Sequence, residues 1–427
     1  MTIFGQKLST FFNNSPLFCE RHKKIRLGVE CPRSLMRTES VELPRYRKTI
    51  SVVEKQFDAT NIKILAAMWR HGPRNLLEIS RRTQIPFTTV YHRVRKVEGK
   101  GKPLACLVPR TSLLGMQRIV VLVSASAGAE EVVTTALKIP GLWRRINVCE
   151  GTFTHLSIHT VPISFLKDYR KYLQRLSALR LITRCTILPT GDYVPNFPNF
   201  KYYDSRSKSW MFPWETWLKS LKKTKLEECL EDPERYALLA DRKDILMIRE
   251  LEGNARKTFA ELTPLLEMTL QGVKYRYDRR LGPSGLLGPI GYDIYPYPAE
   301  ISAYYEIMLE FPNKSAVDKF YSLRYEMFFV HGMAKILRRN AILARTYIAQ
   351  SQLTNMFSFF SDMAKAGLLV SYFPIRMIFT GRQTQTIPYE LFDNEKGWVF
   401  SLPACLAKLS KLVSTSKGSS RQKRRRS

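Results

Sequence analysis

Between Asp58 and His71 apolar residues recur at Ile62, Leu65, Met68 and Trp69, a helical spacing that Gly72-Pro73 stops. Asn75 can cap a second helix, Leu76 to Arg82, with Glu78 placed to complete a capping box. After the turn Thr83-Gln84-Ile85, Pro86 suits a first helical turn, and a third helix runs to about Glu98. Its Val90, Val94 and Val97 form one inward stripe, which turns Thr88, Thr89, His92, Arg95 and Lys96 outward and puts Tyr91 and Arg93 on the flanks. Glu98-Gly99-Lys100-Gly101-Lys102 then leads into Leu104 to Val108, expected to be a short β-hairpin in the place of a wing.

Beyond it the period changes. Arg118 to Ser124 is a β-branched run, Gly128 to Ile139 is amphipathic, and strands are expected at Arg145 to Glu150 and Phe153 to Val161 around Gly151. A helix over Ser164 to Leu179 and a strand over Leu181 to Leu188 complete the order βαββαβ, a ferredoxin-like split βαβ.

The pattern then returns. Ile64-Leu65 to Gly72 recurs as Ile245-Leu246 to Gly253, and the stretch from Ile79 to Arg93 recurs from Leu262 to Arg276 after a two-residue insertion. Gly151 and Gly332 each lie 79 residues beyond the glycine that ends the first helix. Tyr203-Asp204 before Trp210-Met211-Phe212 likewise matches Phe392-Asp393 before Trp398-Val399-Phe400. One two-domain unit is therefore duplicated. The second copy has its third helix over Thr269 to Leu281, Gly282-Pro283-Ser284-Gly285 as a wing turn, and Gln271, Lys274, Tyr275 and Arg279 outward beside Asp278. Pro264 falls inside its second helix, where a backbone hydrogen bond is lost, so the second copy is expected to be the weaker reader. Its βαββαβ order is read from Tyr304 to Phe311, Ala316 to Leu323, Met327 to His331, Lys335 to Asn340, Gln350 to Ala366 and Leu368 to Ile378.

The expected fold class is α+β: two winged helix-turn-helix domains, each followed by a ferredoxin-like domain, arranged as an intrachain pseudo-dimer. The divisions are a basic extension over 1–57, a helix-turn-helix over 58–112, a first ferredoxin-like domain over 113–190 and an aromatic connector over 191–236. A second helix-turn-helix over 237–298, a second ferredoxin-like domain over 299–380, a segment over 381–416 and a basic, disordered tail over 417–427 complete the chain. Met36 is an alternative initiator. In the connector, Trp210, Trp214 and Trp217 with Phe212 and Leu221 form a stripe expected to pack on a neighbouring domain.

Charge adds the partner. The 427 residues carry 68 Lys and Arg against 37 Asp and Glu, a net +31, the sign that polyphosphate attracts. Seven cysteines without a repeated spacing fit no disulfide framework, and no apolar run reaches the roughly 18 residues of a membrane span, so the expected location is the cytoplasm, with no membrane contact. Double-stranded DNA is the expected partner, with Arg81, Arg82, Arg93, Arg95 and Lys96 on phosphates and Thr88, Thr89, Tyr91 and His92 on base edges.

A helix-turn-helix joined to a βαββαβ domain, with Ile85-Pro86-Phe87-Thr88-Thr89-Val90-Tyr91-His92-Arg93-Val94 as its most specific stretch, resembles the archaeal-type Lrp/AsnC transcription regulators. The resemblance covers roughly 58–187 and 241–378. It implies sequence-specific DNA binding, sheets that pair within the chain, further homodimerisation, and a small-molecule effector at the domain junction. The family's Gly-x-Tyr-Asp pattern reads Gly151-Thr152-Phe153-Thr154 and Gly332-Met333-Ala334-Lys335 here, without the carboxylate in either copy. On this reading the chain is no enzyme and carries no cofactor and no metal; Cys19, His22 and Cys31 match no standard zinc spacing. His155, Ser157 and His159 share one face of a strand by alternation and are the candidate ligand face, with Leu156 and Ile158 toward the helices. The alternative is a second resemblance: siroheme decarboxylases share the two-domain plan and use histidine and arginine on such sheets to hold a propionate-rich tetrapyrrole.

Overall fold

In the computed structural model the helix that follows Asp58 shows how the local signals are used. The structure describes residues 57–98, 104–207, 209–223, 228–295 and 297–424, with side chains through 416 except that of 380, all within one unit spanning Tyr46–Ser427. The Cys19, His22 and Cys31 set lies outside them. Helix α1 (Ala59–His71) begins where the Asp58 carboxylate accepts the Asn61 N–H at 2.8 Å and ends at Gly72, whose φ of 83° favours glycine. Asn75 caps α2 (Leu76–Thr83), but Glu78 turns to Arg82 at 2.8 Å instead of closing the capping box. Helix α3 (Phe87–Glu98) buries Val90 and Val94.

Strand β1 (Ala105–Leu107) makes no hairpin of its own. It pairs with β9 of the second copy, so the expected wings are instead one two-stranded ribbon that ties the copies together. Next come β2 (Met116–Ala125), α4 (Glu130–Lys138), β3 (Trp143–Glu150), β4 (His155–Pro162), α5 (Leu166–Ala178) and β5 (Ile182–Thr190), the expected βαββαβ order. The connector holds β6 (Val194–Pro195), the small pair β7 (Tyr203–Asp204) and β8 (Ser209–Trp210), and α6 (Trp214–Lys223). The second copy opens with α7 (Arg242–Gly253), α8 (Phe259–Leu266) and α9 (Leu270–Tyr275), the last continued by a wider turn, Arg276–Leu281. Helix α8 forms around Pro264 because Thr258 and Glu261 close a full capping box. β9 (Ile290–Tyr292), β10 (Ser302–Glu310), α10 (Lys314–Ser322), β11 (Val330–Ile336), β12 (Ala341–Ala349), α11 (Leu353–Lys365) and β13 (Ser371–Met377) follow, then β14 (Gln383–Thr384), β15 (Phe392–Asp393), β16 (Gly397–Trp398) and α12 (Leu402–Arg424). Helix α12 runs past position 417, where disorder is expected.

Each copy orders its strands 2-3-1-4, as β3-β4-β2-β5 and β11-β12-β10-β13. The two sheets join at both edges: β13 pairs β3 through Met377 and Cys149, and β5 meets β11 through Thr190 and Ile336. The eight strands therefore close on themselves, which leaves no open edge between the copies. Beyond the sheets the helices are exchanged. Connector helix α6 of the first copy packs on α11 of the second, and α12 of the second packs on α4 and α5 of the first. The tryptophan stripe makes the first exchange, with Trp217 1% exposed and Trp210 stacked on Phe328 at 4.3 Å.

Strands β11 and β12 sit several residues later than expected. Gly332 is inside a strand, where an added Cβ would lie 2.3 Å from the Tyr193 hydroxyl and 2.7 Å from the Val194 carbonyl oxygen. It is a close-approach glycine, whereas Gly151 lies in the β3–β4 turn. Equal spacing from Gly72 and Gly253 therefore does not make the two equivalent. The Gly332→Ala variant is expected to lose about 1 to 3 kcal/mol by overpacking, read by urea unfolding; unchanged stability would show that Tyr193 and β6 move aside freely.

Candidate functional site

Cross-strand pairing fixes which side chains face the space between the sheets, because directly opposed residues share a face. Ile119, Val121 and Val123 oppose His159, Ser157 and His155, and the three apolar residues belong to the core beneath the helices. His155 Nε2 is 2.8 Å from the Thr134 hydroxyl on α4, and the His159 ring lies 5.3 Å from Tyr169 on α5. The expected ligand face thus points into the helical layer, and Ile158 points the other way, the reverse of the alternation read from sequence. Burial lowers the His159 imidazole to about 3, so His159 is neutral when folded and charged below its ordinary pKa when unfolded. Stability contributed above about pH 6.5 is then lost as pH falls toward 3. Urea unfolding is expected to show about 2 kcal/mol less from this group at pH 5 than at pH 7, and the His159→Gln variant should flatten that slope.

The opposite faces carry Arg118, Val120 and Leu122 on β2 and, across the enclosed space, Tyr304, Glu306 and Met308 on β10. A cavity of about 440 Å³ opens there, bounded by the β1–β9 ribbon and the end of α7. Five arginines line it: Arg118, Arg144, Arg145, Arg345 and Arg382. Arg345 and Glu306 pair at 3.0 Å with 7% and 1% of their side chains exposed. Arg144 pairs with Glu252, Arg382 donates to the Tyr295 hydroxyl, and Tyr295 donates to Asp293 at 3.2 Å. Arg118 donates to the Thr190 hydroxyl at 2.7 Å, and Arg145 to the Tyr304 hydroxyl at 3.1 Å. Five guanidinium groups against the carboxylates of Glu252, Asp293 and Glu306 leave two positive charges unbalanced.

Burial penalises that excess. It pulls Arg118 down to about 10 and Arg144 down to about 9, and it lowers His331 to about 4. Glu306, with Tyr304 and Tyr193, outweighs burial at Arg345 and holds it firmly charged. The walls also hold buried polar atoms with no protein partner: one nitrogen of Arg345, one of Arg144, His331 Nε2, the Thr160 hydroxyl and one oxygen of Glu306. Such atoms cost roughly 1 to 3 kcal/mol each unless something enters to meet them.

None of these cavity residues is among the sequence-derived candidates. The available signal is a charge at an inward position of an otherwise apolar strand, as with Arg118 before Ile119 to Val123, or Arg345 within Ala341 to Ile348. The helical candidates lie elsewhere. Arg81, Arg82, Thr88, Tyr91, His92, Arg95 and Lys96 are exposed and Thr89 is half-buried. Arg93 is occupied: it donates to Asp58 at 2.8 Å and to Asn61 at 3.0 Å, clamping the start of α1, and so leaves the phosphate-binding set. Arg276 repeats the clamp on Asp241 at 2.8 Å. Gln271, Lys274, Tyr275 and Arg279 are exposed, but the helix that carries them widens after Tyr275, where Arg276 and Arg280 both reach Asp244. Among the described residues there is no cluster of three or more metal-holding side chains, and no helix is long and apolar enough to cross a membrane.

No family model matches the chain, and no curated protein does. Among solved structures, the siroheme decarboxylase NirDL matches over 83% of this chain and 99% of its own, at 14% identity and a TM-score of 0.46. Its complex with an iron-uroporphyrin III analogue matches over the same shares at 12% identity and the same score. An AsnC family transcriptional regulator from Agrobacterium tumefaciens matches over 31% of this chain and 89% of its own, at 15% identity and a TM-score of 0.26. The expectation that the chain is no enzyme is withdrawn, since the structures matched along most of its length are those of an enzyme.

Proposed function

We propose that the cavity between the sheets takes a ligand bearing at least two carboxylates, and that a carboxylated tetrapyrrole is its class. The observation that carries this is the unbalanced pair of positive charges lining the cavity together with the partnerless buried polar atoms around them. Arginine suits the task because its planar fork meets a carboxylate in two parallel hydrogen bonds. Arg118 and Arg145, which donate to hydroxyls, are assigned to the two carboxylates. At about 440 Å³ the cavity has the volume of roughly fifteen waters, so a macrocycle would enter by its carboxylate-bearing edge.

The cavity also has parts for chemistry on an anchored carboxylate. Loss of CO2 breaks a carbon–carbon bond and leaves its electron pair on the ligand carbon, which takes up one proton. His331, held neutral near pH 7 by burial and stacked on Tyr295 at 5.5 Å, stands beside the arginines as a relay that passes this proton from solvent to the carbon. Titration with uroporphyrin III, followed by its Soret band and by mass spectrometry for loss of CO2, tests both steps. A saturable band shift that Arg145→Leu removes supports the site; a shift indifferent to that change contradicts it.

A second reading, duplex DNA binding, rests on the exposed face of α3. Thr88, His92, Arg95 and Lys96 project from the side of α3 opposite the buried Val90 and Val94, which leaves them free to enter a major groove. The Arg95→Ala/Lys96→Ala variant is expected to weaken duplex binding by about 1 to 3 kcal/mol per lost base contact, by fluorescence anisotropy, while leaving the uroporphyrin titration unchanged. Equal duplex affinity in variant and native protein would exclude α3 as the reader.

A further inference from the structure

We infer that the outer face of α5 is a second surface for nucleic-acid phosphates, separate from α3. Helix α5 buries Tyr169, Tyr172, Leu173 and Leu176 against its sheet, and on the opposite side Lys167, Arg170, Lys171 and Arg175 are exposed at helical spacing. Asp168 is the helix's one acid and engages Lys171 at 3.1 Å. The acids of α4, Glu130 and Glu131, stand in its first turn, near the Arg180 turn at the far end of α5, where Ser126 bonds the Arg180 carbonyl.

The exchanged helix extends the basic face. Helix α12 packs beside α5 and exposes Lys408 and Lys411, and the sequence holds no acid after Glu395. The other copy provides the internal comparison. Helix α11, in the place of α5, carries one aspartate and one lysine, Asp362 and Lys365, which pair at 3.0 Å. The basic stripe is thus a property of α5 and not of the βαββαβ plan that α5 and α11 share.

A duplex backbone fits this face better than a lipid surface does. From Lys167 to Arg175 the stripe runs about 12 Å along the helix, the span of roughly three to four phosphates of one strand. Membrane-surface helices bury an apolar face in the headgroups, and the apolar face of α5 is already spent on its own sheet.

The test uses the full chain with Lys167→Glu, Arg170→Glu, Lys171→Glu and Arg175→Glu combined, all exposed positions. Anisotropy on random-sequence duplex and on a panel of defined duplexes across a salt series, with cosedimentation on phosphatidylserine vesicles, is compared among native protein, this variant and Arg95→Ala/Lys96→Ala, with circular dichroism melting to verify folding. The slope of log affinity against log salt is expected to fall by about 3 to 4 in the α5 variant even when α3 is intact, with preference among sequences kept. An unchanged slope, no duplex binding by the native protein, or charge-reversal effects confined to anionic vesicles would each overturn the inference. Loss of sequence preference in the α3 variant alone, with the α5 effect retained, separates this surface from the α3 reading.

Discussion

Replacing Arg345 alone by methionine is expected to destabilise the protein by about 3 to 5 kcal/mol, among the largest effects of any single change outside the helix cores. The reason lies in what is left behind. Glu306 is 1% exposed, receives its charged hydrogen bond from Arg345 at 3.0 Å, and has its other oxygen without a partner. Without the guanidinium, that carboxylate either stays charged in a closed interior or takes up a proton. Paired substitution should behave differently. Arg345→Met with Glu306→Gln removes both charges, so most of the lost stability is expected to return, because a buried ion pair contributes little beyond its replacement by neutral groups. Urea unfolding of the two variants decides it: equal losses in single and double variant would mean that the charges do not account for the cost.

Arg118→Leu is expected to act in the opposite sense. Arg118 is 5% exposed, donates to the Thr190 hydroxyl, and is pulled down to about 10 by burial. Its charge opposes folding while no anion is bound. The leucine variant should therefore melt above the native protein in the absence of ligand, yet bind a carboxylated tetrapyrrole 30-fold or more weaker, from the roughly 2 kcal/mol or more that a buried charge contact carries. A variant that loses both stability and binding would instead make Arg118 a structural residue.

Much of the scaffold was legible in the chain. The three-helix order, the βαββαβ order and the connector stripe all rest on short-range periodicity, which local sequence states directly. Two kinds of feature were not. The β1–β9 ribbon and the exchange of α6 and α12 join residues roughly 130 or more positions apart, and nothing in a short apolar strand says which partner it takes. The facing of β4 was also misread. Buried strands are apolar on both sides, so alternation in His155-Leu156-Ser157-Ile158-His159 gives two faces without saying which one meets the helices. The clamps were there to be seen. Asp58 with Arg93 and Asp241 with Arg276 recur at one separation, 35 residues, in both copies. A repeated acid–base pair at fixed spacing marks a contact, so Arg93 was legible as structural.

The difference between two variants in one titration tests the cavity most directly. Native protein, Arg118→Leu and Arg95→Ala/Lys96→Ala are each titrated with uroporphyrin III while the Soret band is followed. Saturable binding in the native protein and the α3 variant, with loss in Arg118→Leu, is the predicted result. Soret changes that are absent from the native protein, or that persist undiminished in Arg118→Leu, would contradict a carboxylate site between the sheets.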